Sequence, residues 1–282
     1  MTTTTVELTE QSTSRTVETP SGTIHYNEAG EGHPLLLLHG SGPGATGWSN
    51  FGPNLKALSR KFRVIAADMP GWGKSSPVTY EDRDHVTAVR DLLDALGIDK
   101  AAVVGNSMGG ATTLKFAAVH PERVSHLVTM GAGAGGVRLF SPADGPSEGL
   151  KILNQGYLEP SVEVMAKLVD IMTYDSGSKS EALAQQRYDN ATANREHLQN
   201  FAAGIGKPRR GTATDEELAS ISAPALIVHG RDDRVVGYEH SLKLVAVIQN
   251  SRLVLFNRCG HWAQLEHADE FNRVVADFVA NN

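Results

Sequence analysis

The 282-residue chain has one cysteine, Cys259, which excludes an internal disulfide framework and fits a reducing compartment. No apolar run approaches the roughly 18 residues that a membrane-spanning helix needs. Basic blocks are also missing: Lys207-Pro208-Arg209-Arg210 is the tightest cluster, and the formal net charge is −6. That balance argues against a nucleic-acid or anionic-membrane surface. Met1 to Thr19 is rich in Thr, Ser and Glu and lacks the cationic start and apolar stretch of a secretory signal. It reads as a loose tail or an edge segment. Neither a Gly-Lys-[Ser/Thr] phosphate loop nor a Gly-x-Gly-x-x-Gly turn opening a helix is present, and His/Cys spacings for a metal are absent. The expectation is a soluble, cytoplasmic protein with no metal.

Hydrophobic residues make up 40% of the chain and charged residues 21%, the balance of an ordinary globular protein. Short apolar runs alternate with helical patterns, which predicts an α/β fold with a mostly parallel sheet covered by helices. Buried strands are expected at Pro34–Leu38, Arg63–Ala67, Ala101–Val104, His126–Met130, Ala223–Val228 and Arg252–Phe256. Helical stripes run over Asp84–Leu96, Met108–Val119 and Phe271–Val279. After Met130 the rhythm breaks at a glycine-rich hinge, and strands resume only near Ala223. Residues 137–210 are therefore expected to form an inserted helical cap, with 1–136 and 211–282 as the two parts of the core.

Each strand ends in a turn rich in Gly, Pro or Asp, and in open parallel sheets such turns share one crevice. Gly105-Asn106-Ser107-Met108-Gly109 lies between a strand and a helix. The bare Gly-x-Ser-x-Gly pattern is a weak signal in a chain with 28 glycines; its strand–turn–helix setting raises it to the nucleophile elbow of an α/β-hydrolase. Serine is a weak nucleophile and needs a base and oxyanion donors. Chain order in this fold is Ser, then Asp or Glu, then His, which selects His261 from 11 histidines. His39 comes too early and is read as a brace for its loop; His229 is read as a core or supporting residue. His85, His120, His197, His240 and His267 are expected to be solvated. The acid is Asp232 or Asp233, since both follow one strand and only one can point inward; Asp233 is favoured. The Met108 N–H, at a helix N-terminus, is one expected oxyanion donor. The loop His39-Gly40-Ser41-Gly42-Pro43-Gly44 supplies the other, from Ser41 or next from Gly42. The Ser41 hydroxyl either faces the pocket or caps its loop. Cys259, with no elbow and no separate base, reads as a small buried residue.

Leu38–Asn50, Val104–Ala111, Gly230–Val235 and Cys259–Phe271 together resemble the meta-cleavage product hydrolases of bacterial aromatic degradation. The resemblance covers essentially the whole chain after Gly22. It implies an eight-stranded α/β-hydrolase core with a cap, no cofactor, and a homodimer or higher homo-oligomer. The implied substrate is a small-molecule 2-hydroxy-6-oxohexa-2,4-dienoate, cleaved at its C5–C6 bond. Arg187 matches the family's carboxylate-binding arginine, Asn50 and Asn106 its amide donors, and Trp262 the indole beside the histidine. A guanidinium offers a carboxylate the planar fork it needs. Cap residues such as Leu139, Phe140, Leu153, Leu168 and Met172 are expected to read the C6 substituent, and Val235, smaller than an aromatic, to leave room nearby. The alternative on the same triad is a carboxylesterase or lactonase, which has no use for a carboxylate clamp.

Overall fold

The computed structural model describes residues 7–135, 139–140, 145–177, 180–208 and 210–282. The chain opens with a short helix α1 (Glu10–Thr13) and two strands, β1 (Ser14–Thr19) and β2 (Gly22–Ala29). Then follow β3 (Pro34–Leu38), α2 (Gly47–Leu58), β4 (Arg63–Ala67), α3 (His85–Ala95), β5 (Ala101–Asn106), α4 (Met108–Val119) and β6 (Val124–Met130). Four helices come next: α5 (Glu148–Leu158), α6 (Val162–Met172), α7 (Ser180–Ala193) and α8 (Arg195–Ala202). The last part runs α9 (Asp215–Ser220), β7 (Ala225–Gly230), α10 (Glu239–Val247), β8 (Ser251–Phe256), α11 (Ala263–Glu266) and α12 (Ala268–Asn281). The eight strands form one sheet in the order β1-β2-β4-β3-β5-β6-β7-β8. It is parallel from β4 to β8, with β2 antiparallel to both its neighbours. This is the mostly parallel, helix-flanked sheet expected.

Central strands in such a sheet are covered on both faces, so their sequences run apolar without alternation. Pro34-Leu-Leu-Leu-Leu38 is an example, and its leucines divide by pleat. Leu36 and Leu38 join Ile65, Val103, Leu127 and Ile227 on one face. Leu35 and Leu37 join Val64, Val104, Val128 and Val228 on the other. Truncating one of them, as in Leu37→Ala, is expected to cost about 2–5 kcal/mol. A third cluster binds the four inserted helices together through Leu153, Met165, Leu168, Met172, Ala184, Ala191 and Leu198, and reaches the core at Val235 and Trp262. Among the described residues, no helix is long and apolar enough to cross a membrane.

Boundaries moved slightly: β6 begins at Val124 rather than His126, and β7 at Ala225 rather than Ala223. Residues 14–19 take the edge-segment form, not that of a loose tail, because β1 pairs with β2 along its length. Its anchor is polar: the Ser14 hydroxyl lies 2.7 Å from His25 Nε2, whose Nδ1 meets the buried Asp68 at 2.8 Å. The chain crosses from β3 to β4 on one side and returns to β5 on the other, so the sheet order reverses at β3. Ligands in open α/β sheets lie beyond the strand ends at such a reversal. Here it is flanked by the loop after β3 and the turn after β5.

Candidate active site

Ser107 is held at φ 52°, in the left-handed region, at the turn from β5 into α4. Few residues other than glycine adopt that conformation without cost, and persistent strain of this kind clusters at functional sites. The turn is tight enough that a Cβ on Gly109 would come within 2.2 Å of the Leu38 carbonyl oxygen. Glycine is therefore required there, and the elbow can sit against the end of β3. Met108, the first residue of α4, belongs to the helical turn whose N–H groups have no intrahelical acceptor.

Asp233 and His261 meet across the ends of β7 and β8. His261 Nδ1 lies 2.7 Å from Asp233 Oδ2. Burial works to raise the Asp233 pKa. The charge of His261 and the hydrogen bonds from His229 and His261 outweigh it and hold the carboxyl below the usual carboxylate range. An ionised carboxylate only accepts, so Nδ1 carries the proton and Nε2 is left as a base. The Val235 and Val236 N–H groups donate to Oδ1 at 2.7 and 3.0 Å, and His229 Nε2 approaches Oδ2 at 3.2 Å. Asp232 instead accepts from the Cys259 N–H and neighbours Arg231 at the surface. Of the two candidate acids, Asp233 is the one beside His261.

A small crevice is lined by Gly40, Ser41, Gly42, Asn50, Asn106, Ser107, Leu153, Met172, Arg187, His261 and Trp262. It brings nearly every sequence-predicted site residue together. His39 braces the donor loop as expected: its Nδ1–H donates to the Gly40 carbonyl at 2.8 Å, while Nε2 accepts the Met69 N–H at 2.9 Å. Burial lowers its pKa and keeps this neutral tautomer. Gly42 is needed for a different reason, since a Cβ there would meet Arg187 Nη1 at 2.9 Å.

Arg187 is 1% exposed. Its Nη1 donates to the Pro43 carbonyl at 3.2 Å, its guanidinium carbon lies 4.4 Å from the Trp262 ring centroid, and Nε has no hydrogen-bond partner among the described residues. Burial lowers its pKa to about 10, so it remains a cation at neutral pH. A buried cation with spare donors and no carboxylate beside it is costly unless a ligand completes it. The asparagines differ from the expectation of free amide donors. Asn50 Nδ2 donates to the Thr46 carbonyl, and Asn106 Nδ2 to the His261 carbonyl at 3.2 Å; the unpartnered atom of Asn106 is its Oδ1.

Several other expectations need correction. Leu139 and Phe140 are each 62% exposed, and Phe140 stacks on Tyr238, so neither lines the crevice. Leu153 and Met172 do line it, while Leu168 and Val235 are packed in the cluster of the inserted helices. His85 and His197 are buried, bonded to the Pro70 and Gly73 carbonyls, because each satisfies a turn carbonyl in the core. His120, His240 and His267 are half-buried. Val137, Arg138 and the cap residues 141–144 lie outside the described residues. Glu266 went unassigned from sequence, yet it accepts the Gly260 N–H at 2.6 Å and the Tyr174 N–H at 2.7 Å, tying the histidine turn to the end of α6. An acidic residue five places after a turn histidine was the available signal. Tyr157 was also missed, and nothing in the helical pattern around it marks it.

Residues 33–268 match the alpha/beta hydrolase fold family. A 2-hydroxy-6-oxononadienedioate/2-hydroxy-6-oxononatrienedioate hydrolase of Pseudomonas putida is 46% identical, over 97% of this chain and 99% of that one. A 2-hydroxy-6-oxo-6-phenylhexa-2,4-dienoate hydrolase of Burkholderia cepacia is 44% identical over 92% and 91%. Among solved structures, a meta-cleavage product hydrolase from Pseudomonas fluorescens IP01 superposes with a TM-score of 0.85 at 35% identity, covering 94% of this chain and 96% of that one. The chain belongs to the α/β-hydrolases and, within them, to the meta-cleavage product hydrolases.

Proposed function

We propose that this protein hydrolyses the C5–C6 carbon–carbon bond of a 2-hydroxy-6-oxohexa-2,4-dienoate. The products are 2-hydroxypenta-2,4-dienoate and a carboxylic acid. The observation that carries the reading is Arg187, a buried guanidinium with unused donors in the wall of the crevice that holds Ser107 and His261. An ester substrate asks for no such group, whereas the C1 carboxylate of a dienoate pairs with it. The names of the P. putida and B. cepacia relatives support the same substrate class.

In this reading the dienolate is first ketonised, with a proton delivered to C5, so that the C5–C6 bond gains an electron sink. His261, Arg187 and Trp262, which line the same crevice, are the groups that assist this step. Ser107 Oγ then attacks the C6 ketone while His261 Nε2 takes its proton and Asp233 holds the imidazolium. Backbone N–H groups of Ser41 or Gly42, and of Met108, receive the oxyanion. Collapse breaks C5–C6, its electron pair flows into the departing dienolate, and the acyl group stays on Ser107. The His261 imidazolium returns its proton to the 2-oxygen of that dienolate, giving the 2-hydroxy product and a free base. Water, deprotonated by His261, releases the acid and restores the serine.

Residues 137–210 serve here as a cap over the crevice, between core segments 1–136 and 211–282. The family resemblance further supports a homodimer or higher homo-oligomer working in the cytoplasm, which light scattering on the purified chain tests. The activity itself is tested by loss of the visible dienolate absorbance on adding enzyme, compared across methyl, phenyl and carboxyethyl groups at C6. Turnover of simple aryl esters with no bleaching of any dienoate would overturn it.

A further inference from the structure

The loop with the candidate oxyanion donors is held mainly by side chains from the inserted helices. Tyr157 on α5 donates its hydroxyl to the Ser41 carbonyl at 2.5 Å and accepts the Trp72 Nε1–H at 2.9 Å. Arg187 on α7 donates to the Pro43 carbonyl, and Asn190, one turn further along, donates to the Gly44 carbonyl at 3.3 Å. From the core, His39 holds the Gly40 carbonyl and the Ala45 N–H donates to the Gly42 carbonyl at 3.1 Å.

The consequence follows from peptide geometry. In a trans peptide the carbonyl and the next residue's N–H point in opposite directions within one plane. His39, through the Gly40 carbonyl, therefore sets the direction of the Ser41 N–H. Tyr157, through the Ser41 carbonyl, sets that of the Gly42 N–H. Gly40, Gly42 and Gly44 leave the chain between these planes free to turn unless something fixes it. Tyr157 is itself immobilised: it is buried, its ring stacks on Phe201 at 3.9 Å, and its acceptor site is filled by Trp72. Burial pushes its phenol pKa up, so it stays a donor across the working range.

We infer that Tyr157, assisted by Asn190, is a positioning residue for the oxyanion loop, so that the inserted helices complete the machinery as well as cover it. This rests on the serine-hydrolase reading of the site. Removing an oxyanion donor outright costs about 10²–10³-fold in rate, and a misaimed donor is expected to cost part of that.

The test uses the full-length chain with Tyr157→Phe and Asn190→Ala. For Tyr157→Phe, kcat on both a dienoate and an aryl ester should fall roughly 10- to 100-fold with KM changed less than about threefold. The rate at which a phosphonofluoridate labels Ser107, which also builds negative charge on an oxygen, should fall in parallel. Inhibition by the product 2-hydroxypenta-2,4-dienoate, a ground-state ligand, should stay as it was. An unchanged kcat and labelling rate, with only a lowered Tm, would overturn the positioning role. Should Tyr157→Phe fail to fold, Asn190→Ala decides the question. A severalfold loss in kcat at constant KM supports the inference, and parental kcat overturns it. Wild-type protein inert to the phosphonate would instead bring down the serine-hydrolase reading and this inference together.

Discussion

The guanidinium of Arg187 lies over the indole of Trp262, its carbon 4.4 Å from the ring centroid. A ring face attracts a cation without using its N–H groups, so the fork stays available to an incoming anion. In Arg187→Gln, kcat/KM for a dienoate should fall about 10²–10³-fold, the scale of losing one partner of a buried charge pair. Turnover of a neutral aryl ester should change little. Steady-state kinetics on both substrates checks this, and equal losses would assign Arg187 a structural part. Arg187→Met should leave Tm unchanged or raise it, because it removes a buried charge that the free protein does not neutralise.

Ser107 combines chemistry with strain. Ser107→Ala should lower turnover by several orders of magnitude, about 10³–10⁶-fold. Ser107→Gly should be equally inactive but more stable than Ser107→Ala by about 1 kcal/mol, since φ 52° suits glycine. Thermal denaturation of the two variants makes the comparison. An alanine variant as stable as the glycine one would mean that the elbow stores no strain.

Stability should fall with pH over a window set by His85. Burial, only partly opposed by its bond to the Pro70 carbonyl, pushes its pKa down to about 3 from an ordinary 6.5. Between those values the unfolded chain holds a proton on this residue that the folded chain refuses, so acidification favours unfolding. The slope is about 1.4 kcal/mol per pH unit. Urea unfolding of His85→Gln should therefore depend less on pH than the parent between about pH 6 and 4. His39 and His197, also lowered by burial, add slopes of the same sign, so the readout is the difference between the two proteins. Asp233 acts lower still: its stabilisation is present above the unfolded carboxyl pKa of about 3.9 and is lost as pH falls further. Identical slopes for parent and variant would contradict the buried, neutral state of His85.

Cys259 is fully buried, and burial raises its thiol pKa. Iodoacetamide should therefore leave activity intact over hours in native buffer, and Cys259→Ala should keep kcat within a fewfold. Rapid inactivation that follows labelling of Cys259 would contradict its burial.

The five central strands β3 to β7 could be read from sequence because strands covered on both faces announce themselves as apolar runs, and the half-exposed edge strand β8 from its run Leu253-Val254-Leu255-Phe256. β1 and β2 could not, since Ser14–Thr19 has no such run and is ordered by tertiary contacts, Ser14 with His25 and His25 with Asp68. The triad followed from chain order and turn chemistry, which local sequence carries. Ser41 followed from the glycine-rich loop after β3, and Arg187 and Trp262 from family resemblance; periodicity alone makes Arg187 an ordinary helix arginine. Tyr157 and Glu266 act through contacts between segments far apart in sequence, with Ser41 and Tyr174 respectively. His85 and His197 look solvated for the same reason: the carbonyls that take them inside belong to another turn.

The inserted helices leave the sheet after β6 and the chain returns in β7, the strand beside it. Because the two strands run parallel, the chain leaves at Met130 and returns at Ala225, one strand over (~4.8 Å) and three residues back along the sheet, a gap of ~11 Å. Closing a longer or shorter excursion across so small a gap changes the folding free energy only slowly with length, about 0.6 kcal/mol per doubling. Lineages can therefore exchange or resize this segment, and with it the range of molecules admitted, while strand order and the Ser107 elbow stay fixed.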